Sequence, residues 1–429
     1  MSNSGGSFPL QWVRDQFPSL GVQDNGQRRI YLDNPAGTQV PQRVADAISN
    51  AILYSNANLG GVFPTSVAAE NIIEAGHQSM ADFFGCLPDE VIIGPNMTSL
   101  TYHFSRMIAN RYNGTGFEPG DEIIVTQMDH EGNVSPWLQL AEDMGLVIRR
   151  LPFNTQSWQV EAEDLERLIT DRTRLLALNY SSNLTGSVND VATLVAVAKA
   201  AGILTYVDAV QFAPHGAIDV KALDCDFLIC SSYKFFGPHS GILYGKKSVL
   251  EAIVPYKCRC SDDVFPYKFE TGTPQIELVA GLSETVDYIA DLGKQLGSSG
   301  DQRAMIKAAF AASQQEETDL VKDLIDGIST IKGTEIHGIT DKTRFEHRVP
   351  TVSFTIKDIV PDTLVRRLNG EGIFCWSGHN YAWEVVHQLG INPDHGVVRI
   401  GIANYNSRQE ITETVESVTR NIAMLRQDR

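Results

Sequence analysis

Between about residues 90 and 245, short runs of β-branched and apolar residues alternate with stretches of helical spacing. The runs EVIIG (90–94), DEIIVTQ (121–127), GLVIRRLPF (145–153), RLLALNYS (174–181), ILTYVDAV (203–210), DFLICSS (226–232) and GILYG (241–245) read as strands. Segments 133–144 and 190–201 between them place apolar residues on one helical face. Strands alternating with amphipathic helices make an α/β architecture with a mostly parallel sheet covered on both faces. Before this region, 41–54 and 66–84 predict helices, and after it so do 275–293 and 301–327. The tail then changes character. VPTVSFTI, PDTLVRRLN, GIFCW, VVRIGIANY and a last helix over 407–427 predict a smaller α+β unit. The division expected is an arm over 1–30 packing on that unit, a large domain over 31–295 and a small domain over 296–429.

Composition narrows the chemistry. The chain has 429 residues, 43% of them hydrophobic and 20% charged, which fits a soluble globular protein. A net charge of −17 without clustered Lys or Arg excludes a nucleic-acid binder and leaves a well-solvated surface. No stretch reaches the roughly 18–20 apolar residues of a membrane helix, and the N-terminus lacks a signal-peptide pattern. A cytoplasmic protein is expected. The six cysteines are scattered and read as reduced thiols. Cys258-x-Cys260 has no second ligand pair nearby, so no metal site is expected.

The carboxyl ends of the strands carry the candidate chemistry, because ligands of such sheets bind there. Asp208 ends TYVDAVQ, and Lys234 follows the next strand in ICSSYKFFGPHSG. Taken singly, such a lysine is an exposed side chain and such an aspartate a cap as readily as anything else. As a pair they suit a pyridine-based cofactor, which needs an amine for a Schiff base and a carboxylate to keep the ring nitrogen protonated. IIGPNMTSL opens a helix at Thr98 and Ser99, where first-turn amides suit either a phosphate or a plain cap. His130 ends a strand in TQMDHEGNVSPW, placed to stack on a ring and exchange protons or simply to lie in a surface loop. Neither G-x-x-x-x-G-K-[ST] nor a strand-linked G-x-G-x-x-G is present.

In this order, from YLDNPAGTQVP to the last helix, these motifs resemble the class V aminotransferase family of fold-type I pyridoxal-phosphate (PLP) enzymes, in its cysteine desulfurase-like and selenocysteine lyase-like subgroup. The resemblance implies a seven-stranded, mostly parallel sheet in the large domain. It makes Lys234 the Schiff-base lysine, Asp208 the carboxylate on the pyridine nitrogen, Gln211 the donor to the phenolic oxygen and His130 the ring-stacking, catalytic histidine. Asn183 is implied near cofactor and substrate, and Met97, Thr98 and Ser231 at the phosphate, with Tyr233 beside the lysine in place of a frequent histidine. Thr273 in FETGTP is implied to reach the phosphate of the neighbouring subunit, hence a homodimer, and Arg399 to clamp the substrate α-carboxylate.

The resemblance breaks at one segment. Desulfurases of this group carry R-x-G-H-H-C-A, whose thiol takes sulfur as a persulfide. Here the segment begins at Trp376, keeps His379 and places Tyr381 at the thiol position, with all three expected beside the substrate. Cys375 reads as a core thiol. The expected function is a lyase that takes an α-amino acid through an external aldimine and cleaves a C–S or other β-bond without that cysteine. The alternatives are an epimerase or carbon–carbon bond-forming enzyme of secondary metabolism, or a non-catalytic binding protein on the same fold.

Overall fold

The computed structural model describes residues 8–427. All seven predicted runs become strands of one sheet, in the order Val91–Gly94, Gly241–Gly245, Phe227–Ser231, Leu204–Asp208, Thr173–Asn179, Glu122–Thr126 and Val147–Leu151. Gly241–Gly245 is antiparallel to both neighbours, and every other pairing is parallel. The inner strands Glu122–Thr126, Leu204–Asp208 and Phe227–Ser231 are buried along their whole length, as their continuous apolar runs require of strands covered on both faces. One core, including Leu176, Leu178, Leu228 and Phe235, fills one face. A second, including Phe104, Trp137, Tyr206 and Ile229, fills the other.

Helix boundaries follow local chemistry more closely than periodicity alone does. The helix predicted over 66–84 begins two residues earlier, with Pro64 in its first turn, and stops at Gly85, which takes the left-handed φ of 76° that suits glycine. The helix predicted from 133 starts at Ser135, after a 3-10 turn over Glu131–Asn133. In the tail, a four-stranded antiparallel sheet runs Thr334–His337, Thr351–Ile356, Val397–Gly401 and Trp376–Gly378. It is covered by Gln302–Ser329, Pro361–Gly370 and Arg408–Gln427 around a separate core that includes Leu324, Phe354 and Ile400. The run GIFCW is not one strand. Ile373–Phe374 pairs with Ile30–Tyr31, and after Cys375 the chain switches to the sheet edge as Trp376–Gly378.

Residues 8–30 touch both halves of the chain. Phe17 meets Tyr405, Phe236 and Tyr288 edge-on, and Arg14 donates to the Tyr405 carbonyl and to Glu410. Residues 1–7 of the expected arm lie outside the described residues. No helix among the described residues is long and apolar enough to cross a membrane.

Candidate active site

The carboxyl ends of the parallel strands converge on a small cavity lined by residues from five segments. Lys234 sits in the 3-10 turn Ser232–Lys234 that follows the Phe227–Ser231 strand, and its Nζ donates to the Pro35 carbonyl. Burial pushes the amine down to about 7. Arg399 pushes the same way, while Asp33 and Asp208 oppose it. A neutral, nucleophilic amine is therefore available close to neutral pH.

Asp208 is the last residue of its strand, and its Oδ1 accepts the Val210 amide at 2.8 Å. Burial raises its carboxyl to about 6. Asp129, which sequence reasoning missed, lines the same cavity and is also raised, first by burial and then by Asp208. Its carboxylate accepts the His130 amide at 2.7 Å and Asn133 Nδ2 at 2.8 Å, and so fixes the backbone that presents His130. An acidic residue directly before a strand-end histidine was the available signal.

His130 shows which nitrogen holds its proton. The Gly132 amide donates to Nδ1 at 2.8 Å, which leaves the proton on Nε2. Burial, then Lys234 and Arg399, push the imidazole down to about 3, so it stays neutral. Gly132 allows this close packing, because a Cβ there would lie 2.9 Å from Met97 Sδ and Thr98 Oγ1.

The helix Met97–Arg111 points its N-terminus at the cavity, with Met97 and Thr98 in the lining. Ser231 Oγ accepts the Met97 amide at 3.0 Å, Asn96 Oδ1 accepts that of Ser99 at 2.9 Å, and Asn96 O accepts that of Leu100. The Thr98 amide is the first-turn donor not taken up in this way. Ser231 is fully buried behind the helix start and does not line the cavity, so within this chain it orders the amides rather than the cavity wall. Thr273 is exposed and lines a separate groove with His103 and Glu270, away from Lys234.

Arg399 stands in the Val397–Gly401 strand and is 4% exposed. Its guanidinium donates to the Asn183 carbonyl at 3.1 Å and lies 3.6 Å from Asp33 Oδ1, while Nε has no partner. Burial lowers it to about 10, and Asp33 opposes that fall. Asn183 Nδ2 donates to the Asn380 carbonyl at 2.7 Å, and its buried Oδ1 has no partner. Gln211 Nε2 reaches Thr351 Oγ1 at 3.1 Å. The Tyr233 ring stacks on His239 at 4.9 Å.

A wider, more open cavity joins Lys234, His130, Asn183 and Arg399 to Trp376, His379, Tyr381 and Trp383. The Tyr381 ring stacks on His130 at 5.3 Å, and its carbonyl accepts the Glu131 amide. All six cysteines are among the described residues, and none lines either cavity. Burial, aided by Asp33, pushes the Cys375 thiol up to about 12.

A buried lysine of lowered pKa, a strand-end carboxylate, a helix N-terminus, an orphaned Asn183 oxygen and a partly unfilled guanidinium form a donor set that fits PLP and an amino acid. Residues 30–413 match the Aminotransferase class-V family. The chain belongs to that family. It is 32% identical to a cysteine desulfurase of Yersinia pestis over 96% of this chain and 98% of that protein. With a cysteine desulfurase of Pectobacterium carotovorum it shares 30% identity over 96% of this chain and 98% of that protein. A cysteine desulfurase structure from Escherichia coli superposes with a TM-score of 0.81 at 28% identity, covering 98% of this chain and 100% of that one. One from Thermococcus onnurineus gives 0.83 at 26% identity, covering 97% and 98%. This class V enzyme has the fold-type I architecture and is PLP-dependent.

Proposed function

We propose that this enzyme is a cysteine desulfurase-like lyase that breaks a bond at Cβ of an α-amino acid, and that it works without a persulfide cysteine in the 376–383 loop. The observation that carries the reading is Arg399, a buried cation with an unpartnered Nε, opening onto the cavity that holds Lys234. Such a group in a low-dielectric site calls for a carboxylate, which a guanidinium binds in bidentate fashion. The relatives named as cysteine desulfurases support the reaction class.

When bound, PLP supplies an electron sink for charge developing at Cα. Lys234 would hold it through its amine and, with that amine free, would remove or return the Cα proton. Asp208 would hold the proton on the ring nitrogen. His130 would cover one ring face, and it offers Nε2–H as a donor. The Thr98 amide, left over by the Ser231 and Asn96 acceptors, would meet the phosphate beside the Met97 side chain, Gln211 and Tyr233 would line the ring's site, and Arg399 with Asn183 would orient the substrate carboxylate. Excluding cysteine from the cavity means that sulfur leaves in solution rather than on the protein.

The same reading includes the division into 1–30, 31–295 and 296–429, a cytoplasmic homodimer, and Thr273 reaching the phosphate of the partner subunit. A panel of β-substituted amino acids tests the reaction class. Pyruvate and ammonia are the expected products. Solvent deuterium at Cα with no pyruvate would replace the lyase reading with an epimerase one.

A further inference from the structure

We propose that the substrate is a cysteine S-conjugate, an α-amino acid whose β-sulfur carries an aromatic or similarly broad apolar group. The inference rests on the lyase reading above and names its substrate class.

The first observation is register. Trp376 is the direct antiparallel partner of Arg399, so the two side chains stand beside each other on one face of the small sheet. An amino acid held by its carboxylate at Arg399, with its Cα within reach of Lys234, therefore has the indole beside the path of its side chain. The second is the wall it meets. Trp376, Tyr381 and Trp383 are 55%, 64% and 42% exposed, and all three line the one cavity that contains Lys234 and Arg399. Three large rings left open to solvent around a reactive lysine form a stacking surface for a flat group. Unsubstituted cysteine, with one sulfur beyond Cβ, leaves that wall untouched.

The third observation is how the loop is held. Tyr381 adopts a left-handed φ of 59°, a costly conformation for an aromatic residue, and Asn380 before it does the same at 53°. Two hydrogen bonds hold this geometry, Glu131 N–H to the Tyr381 carbonyl and Asn183 Nδ2 to the Asn380 carbonyl. The wall is thus tied to the residues that flank His130 and Arg399.

The chemistry closes without an acceptor thiol. Lys234 takes the Cα proton, the Cβ–S bond breaks, and its electron pair leaves with sulfur. The sulfur departs as a thiolate still bonded to its aromatic group and takes up a proton. Water converts the remaining three-carbon fragment to pyruvate and ammonia. Nothing is oxidised or reduced overall, and no sulfur stays on the protein, which agrees with the lack of cysteine in either cavity.

The test uses the PLP-loaded enzyme with S-benzyl-L-cysteine, S-methyl-L-cysteine and L-cysteine, measuring pyruvate and released thiol, with binding followed by the change in the visible band. The expected kcat/KM for the benzyl conjugate exceeds that for the other two by about tenfold or more, the scale of one or two aromatic contacts. W376A is expected to bring the benzyl-to-methyl ratio close to one and weaken benzyl-conjugate binding, while W376F retains most of the preference. Equal turnover of all three substrates, or a W376A ratio equal to that of the parent enzyme, overturns the substrate class and leaves the lyase reading intact. A visible band with no pyruvate from any of the three removes the lyase reading and this inference together.

Discussion

Arg399 donates to the backbone carbonyl of Asn183 at 3.1 Å, and the Asn183 side chain donates onward to the carbonyl of Asn380 at 2.7 Å. One residue thereby couples the Arg399 guanidinium to the loop that carries Asn380 and Tyr381 along the cavity wall. Because the contact to Arg399 uses the main chain, N183A leaves the guanidinium supported and releases the loop. Arg399 is the more sensitive position. R399K keeps the charge and loses the planar fork, so kcat/KM should fall about 10- to 100-fold, mostly through KM. Steady-state kinetics on any turned-over amino acid check this, and an unchanged KM would remove Arg399 from the substrate site.

Lys234 sets a pH dependence. Its amine is lowered to about 7, so it is protonated below that pH and neutral above it. The rate at which cofactor-free protein captures PLP should rise as pH passes through about 7 and level off above it. Stopped-flow absorbance over pH 5 to 9 would show this rise, and capture still climbing towards an ordinary lysine pKa would contradict the buried, lowered amine.

His130 should behave as a neutral donor. Its imidazole is pushed down to about 3, with Nδ1 engaged by the Gly132 amide. In ¹⁵N-histidine spectra of the protein it should remain the Nε2–H form from pH 5 to 9. H130Q, which loses the stacking face, should weaken PLP retention by about five- to tenfold. Titration of His130 near the usual histidine range would contradict the assignment.

Much of this site was legible in the sequence because strand-end chemistry is local. Asp208, Lys234 and His130 each follow a run whose apolar character identifies a buried strand, and all three line one cavity. What was hidden depends on chain segments far apart in sequence. Asp33 approaches Arg399 through a bridge between Asp33 and Gly401, and the Pro35 carbonyl accepts from the Lys234 amine, 199 residues further along the chain. Trp376 meets Arg399 only through an antiparallel register that GIFCW, read as one strand, does not disclose. Ser231 was expected at the phosphate only through the family resemblance, and its direction was not legible. It faces the Met97 amide.

Cys375 tests the absence of a protein-bound sulfur carrier. It is 2% exposed in the small-domain core, and its thiol is pushed up to about 12. C375S should keep turnover within about twofold, and the native thiol should resist alkylation at neutral pH. A loss of tenfold or more in a folded C375S protein would restore a sulfur-relay role to this residue.

We assign the cofactor attachment to Lys234. Borohydride reduction of the PLP-loaded enzyme, followed by proteolysis and mass spectrometry, fixes the attachment as a stable secondary amine. The expected result is a phosphopyridoxyl group on Lys234 and its loss in K234A. The same modification on another lysine, or none on a protein that retains its visible band, would contradict it.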